Sequence, residues 1–105
     1  MNTNIQILEI VWRGLQVRVS FNPEYSKTFK DLYGYPLGHL EVMVISPERF
    51  PLPISETGYK SSFLSPEDVL AEGGPANYVQ AWLDHAAQSP TWKEKEEAAK
   101  QMVLF

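Results

Sequence analysis

Leu15, Val17, Val19 and Phe21 alternate without interruption with Gln16, Arg18, Ser20 and Asn22. A strict period of two puts every apolar side chain on one face, so this stretch must be a half-buried strand with a core against one side. Upstream, Ile5, Ile7, Ile10 and Trp12 lie in a β-branched and aromatic run that ends at Arg13-Gly14, a short turn that folds it back as a hairpin. Downstream, Leu40, Val42 and Val44 alternate with Glu41 and Met43 before Ser46-Pro47. These three strands make an antiparallel meander.

The segment from Pro23 to Gly38 holds Tyr25, Phe29, Leu32, Tyr33 and Tyr35. That is too apolar for a free loop and too irregular for a helix, so it reads as a long, packed hairpin excursion. Pro47, Pro51 and Pro53 deny central-strand hydrogen bonds to residues 46–54, which should run extended over the surface. From Ser65 onward the signals are helical. Ser65-Pro66-Glu67-Asp68 places a hydroxyl at the cap, proline at the first helical position and acids in the first turn. This short helix stops at Gly73-Gly74. Pro75 opens a second, whose Tyr78, Val79, Trp82, Leu83 and Ala86 form one stripe that should pack on the sheet. Ser89-Pro90 opens a third, rich in helix formers from Thr91 to Met102, with Glu96 and Lys100 spaced for an i,i+4 pair. The expected fold is α+β: a three-stranded antiparallel meander followed by two or three helices packed on one face. Its parts are a β-rich segment 1–46, a proline-containing linker and polar loop 47–64, a helical segment 65–100 and a C-terminal peptide 101–105.

A chain of 105 residues, 44% of them hydrophobic, has material for one core and is too apolar for intrinsic disorder. The net charge of -4 disfavours binding along nucleic acid or an anionic membrane. It is unevenly placed: residues 1–64 carry six acidic and six basic side chains, residues 65–100 seven and three. The absence of cysteine removes disulfides, thiolate catalysis and cysteine zinc sites, and no spanning helix or secretory leader is visible. A cytoplasmic location is expected, with no cofactor.

Ser55-Glu56-Thr57-Gly58-Tyr59-Lys60-Ser61-Ser62 gathers hydroxyls, an acid and a base on a glycine-containing segment. Such a loop can hold an anion or line a cleft, but lacks the glycine count and lysine-serine register of a P-loop. Two readings stand: a polar turn bonded to its own backbone, and a binding surface built on Glu56, Tyr59 and Lys60. His39 and Glu41 share a strand face, which permits a carboxylate-histidine contact. Asp84 and His85, adjacent on a helix, point about 100° apart and read as an exposed pair. Two distant histidines without clustered carboxylates make no metal site. Lys93 to Glu97 is a solvated face, and Trp82 and Trp92 read as core or interface anchors.

The chain closes with Gln101-Met102-Val103-Leu104-Phe105. This resembles the bacterial sliding-clamp-binding peptide, in which a glutamine precedes an aliphatic residue, a variable position, leucine and phenylalanine. Gln101, Leu104 and Phe105 match directly, Met102 stands where leucine is usual, and Val103 departs from the small or acidic residue common at the centre. The resemblance implies docking of Leu104 and Phe105 in an apolar pocket of the clamp, with the Gln101 amide bonding at its edge. The plainer alternative is a terminus that completes its own core.

A wider likeness rests on His39-Leu40-Glu41-Val42, on Pro51 through Phe63, and on Gly73-Gly74-Pro75 through Ala81-Trp82-Leu83-Asp84, followed by the terminal pentapeptide. These segments resemble a family of small proteins of proteobacterial plasmids, prophages and other mobile elements. The resemblance implies an accessory protein whose partner is a host or element protein and implies no enzyme activity, and the function expected is non-enzymatic protein binding. An inhibitor of a host defence complex, of anti-CRISPR type, is the alternative within binding proteins. A small hydrolase or nucleotide-binding enzyme built on the 55–62 loop is the alternative from another class.

Overall fold

The computed structural model describes the backbone of residues 5–103 and the side chains of residues 5–98. Four strands, β1 (Gln6–Trp12), β2 (Leu15–Asn22), β3 (Gly38–Ser46) and β4 (Tyr59–Leu64), form one antiparallel sheet in the order β1-β2-β3-β4. The helices are α1 (Lys27–Tyr33), α2 (Pro66–Ala71), α3 (Pro75–Ala86) and α4 (Pro90–Val103). The class is α+β as expected, but the meander has four strands, not three. The fourth lies inside the segment read as linker and polar loop. Its Lys60 and Ser62 pair with Val42 and Leu40 on the helix-side face of the sheet, so the apolar-polar contrast that marks a strand is missing.

Register follows the alternation. Trp12, Ile10 and Leu8 sit opposite Leu15, Val17 and Val19, and Val17, Val19 and Phe21 sit opposite Val44, Val42 and Leu40. These side chains make one face, joined in the core by Leu52, Val69, Val79, Leu83, Ala87 and Trp92. The β1–β2 turn is Arg13-Gly14 with φ of 49° and 83°, the two positive values that a tight hairpin of matching twist needs. α3 lies over β1 and β2, with Val79 and Leu83 fully buried and Tyr78 and Trp82 partly so. Trp12 donates its indole N–H to Asp84 Oδ1 at 2.8 Å, tying α3 to β1. Asp84 and His85 are both exposed, as expected, and Asp84 in addition anchors α3 to β1.

Two further expectations change. Residues 46–54 do not run extended over the surface: a turn at Pro47–Arg49 leads to a bridge between Leu52 and Ser55, and Leu52 is buried in the core. Residues 23–38 contain a helix, α1, capped by the Ser26 hydroxyl and ended by Gly34 at φ 80°. It buries none of its residues, so the excursion is not packed on the core. α4 begins as expected at the Ser89 hydroxyl, which accepts the Trp92 N–H at 3.2 Å. Glu96 pairs with Arg13 of the first hairpin at 2.9 Å. Its expected partner Lys100 lies outside the described side chains.

Candidate protein-binding surface

All the core side chains of the sheet point to one face, so the other consists of the alternate residues. On β2 these are Gln16, Arg18, Ser20 and Asn22, all polar. On β3 and β4 they are His39, Glu41 and Met43, opposite Phe63, Ser61 and Tyr59. On β1 they are Ile7, Glu9 and Val11, with Ile5 continuing the alternation.

The face divides in two. On one side of the polar β2 row, His39 stacks between Tyr25 and Phe63, each ring centroid 4.8 Å from its own, and Tyr25 meets Phe63 edge-on at 5.1 Å. The excursion carries a second aromatic cluster. There Phe29 stacks with Tyr33 at 4.6 Å and Tyr35 at 5.5 Å, while Leu32 is 72% exposed. On the other side of β2 lie the aliphatic side chains of β1, with Ile7 and Val11 at 67% and 69% exposure. Of the exposed large hydrophobic residues among those described, only Leu70 lies elsewhere, on α2.

The polar groups of the face already satisfy one another. Glu9 accepts from Gln16 at 2.6 Å and from Arg18 at 3.4 Å. Glu41 Oε2 accepts the Tyr59 hydroxyl at 2.7 Å. That bond, reinforced by burial, pushes the Tyr59 phenol above its ordinary value, because ionisation would leave two anions in contact. At the excursion Lys30 pairs with Glu24 at 3.6 Å. A ligand on this surface gains little by bringing charge and much by bringing apolar area.

The polar loop is held by its own bonds. Ser55 Oγ donates to Tyr59 O at 2.5 Å and accepts from Thr57 N at 3.3 Å. Gly58 has φ 75°, and a Cβ there would lie 2.6 Å from Phe50 O. The three residues singled out in this segment part company. Glu56 turns to Lys95 of α4 at 3.2 Å, Tyr59 to Glu41 on the open face, and Lys60 occupies the opposite face of β4. A cleft of about 250 Å³ between residues 52–56 and the start of α4 is lined by Glu56, Lys95, Ser89, Thr91 and Trp92, among others. Tyr59, Lys60 and both histidines are absent from its lining. Among the described residues no group of three or more potential metal ligands occurs, and no helix is long and apolar enough to cross a membrane.

Gln101 and Met102 fall in the last turn of α4, their side chains outside the described set, and Leu104 and Phe105 lie outside the described residues. Sequence reasoning missed Tyr25, Tyr33, Tyr35 and Phe63 as surface residues. For the three tyrosines the signal was present: an aromatic segment without helical periodicity lacks a face that could be buried.

The family model described as KlcB third domain matches residues 5–92, which span the whole sheet, α1 to α3 and the start of α4. No curated protein and no solved structure matches the chain.

Proposed function

We propose, from the premise that this chain belongs to the KlcB third-domain family, that it is a non-enzymatic protein-binding module. Its contact surface is the aromatic half of the open sheet face together with the α1 excursion. The observation that carries this is the exposure of Tyr25, Tyr33, Tyr35 and Phe63, with half-buried His39 stacked between Tyr25 and Phe63 and Tyr33 in contact with Tyr35. Aromatic residues dominate the central contacts of protein interfaces because they bury large areas at low entropic cost. The neutral balance of Glu24, Lys27, Lys30 and Asp31 along the excursion favours a protein partner over a nucleic-acid backbone. The likeness of residues 51–63 to mobile-element proteins supports an accessory role in such an element, inhibition of a host defence complex included.

Docking on a sliding clamp through Gln101, Met102, Leu104 and Phe105 is a second, separable contact. Its support is the peptide itself behind a helix whose residues 93–98 carry only polar, charged or alanine side chains. Affinity capture from bacterial lysate tests both readings with three baits: the intact chain, a Tyr33→Ser, Tyr35→Ser, Phe63→Ser variant, and a chain lacking residues 101–105. The triple variant should lose the principal partner, and equal recovery would overturn the aromatic surface as the binding site. Clamp captured by the intact chain and lost on truncation supports the second contact. Clamp absent from every bait removes it.

A further inference from the structure

The two edges of the sheet are unlike. β4 carries Lys60, Ser61 and Ser62, the kind of polar and cationic residues that discourage strand addition. Among the described residues, β1 is guarded only by Gln6 and Glu9. It is seven residues long, contains neither lysine nor proline, and pairs with β2 in an unbroken register. Its single charge, Glu9, is already engaged by Arg18 and Gln16. Along its open face Ile5, Ile7 and Val11 are 45%, 67% and 69% exposed.

We propose that the free edge of β1 is the docking site for β1 of a second copy of this chain, joined antiparallel across a two-fold axis. Three arguments select this occupant. A two-fold pairing of the β1 edges makes one eight-stranded sheet whose remaining edges are both β4, so the assembly closes at two copies. A peptide strand from elsewhere would leave a new open edge. The register is also favourable: an axis at Leu8 sets Ile5 opposite Val11 and Ile7 opposite Glu9 of the second copy, and keeps seven residues paired. An axis at Glu9 would oppose two carboxylates directly, which is destabilising. The area fits as well. The three aliphatic side chains expose on the order of 300 Å² per copy, which with the backbone edge places the interface in the small, weak class below about 1,200 Å². The dimer is thus a concentration-dependent one.

This interface is separated from the aromatic surface by the polar β2 row, so the two proposals stand or fall apart. Sedimentation equilibrium of the intact chain between about 10 μM and 1 mM should show a monomer-dimer equilibrium. Ile5→Lys with Val11→Lys, at exposed positions that this register sets opposite one another, should weaken it by at least about tenfold, with circular dichroism and the thermal midpoint unchanged. Phe63→Ser should leave it intact. Because the chain has no cysteine, Leu8→Cys gives a second reading that does not depend on the lysine variant folding. Residues on the axis lie about 5 Å apart between Cα atoms, within the span of a disulfide. Oxidation should therefore cross-link Leu8→Cys, and Phe63→Cys should stay uncross-linked. A chain that is monomeric at the highest concentration, an association unaffected by the two lysines, or failure of Leu8→Cys to cross-link would each overturn the proposal.

Discussion

At the scale of single residues, two positions report on the surface and its support. Gly58 turns the chain into β4 at a positive φ and in contact with the Phe50 carbonyl. Gly58→Ala therefore meets backbone strain and a backbone clash together, and should cost about 2–4 kcal/mol of stability in urea unfolding. Tyr59 should ionise above its ordinary pKa of 10.0, visible as a late phenolate absorbance step, and Glu41→Gln should bring that step down. The raised folded-state pKa makes this contribution to stability complete below the unfolded pKa. It fades as the pH rises through the folded one. Neither residue's role was visible in sequence. Tyr59 and Lys60 are neighbours in the chain, but a strand sends consecutive side chains to opposite faces, and only the strand assignment, missed beforehand, reveals it.

Among elements, the contrast lies between α3 and α1. α3 was legible because Val79 and Leu83 repeat at helical spacing behind a proline, and the structure buries both. Its tether to β1 should be measurable: Asp84→Ala leaves the buried Trp12 N–H unpaired and should cost about 1–3 kcal/mol, read by unfolding followed through tryptophan fluorescence. By comparison Arg13→Ala removes an exposed pair with Glu96 and should cost less than about 1 kcal/mol. α1 was illegible for the opposite reason. Its seven residues bury nothing, so no periodic stripe was needed. Replacing residues 24–36 by a two-residue Asn-Gly turn should change stability by no more than about 1 kcal/mol, since loop closure depends weakly on length. The same replacement should abolish partner capture.

Over the whole molecule, the layers explain what the sequence could and could not convey. Helices α2, α3 and α4 cover one face of the sheet, and the alternation in β2 and β3 recorded that burial faithfully. The opposite face is written in residues that look ordinary one at a time: an isoleucine at 7, a histidine at 39, a phenylalanine at 63. Only the register of four strands assembles them into an aromatic half and an aliphatic margin. The molecule measures 55 × 25 × 22 Å, long for its residue count, so its contact surfaces can address different partners at once.

The excursion leaves the sheet after Asn22 and returns before His39, residues that stand opposite one another in the β2–β3 ladder. At that doorway the buried core experiences only a hairpin, whatever occupies residues 24–37. A lineage can therefore lengthen, shorten or rewrite this insert and acquire a new target while the buried core is inherited unchanged. Divergence would concentrate there, and comparison of cores alone would group proteins that no longer recognise the same thing.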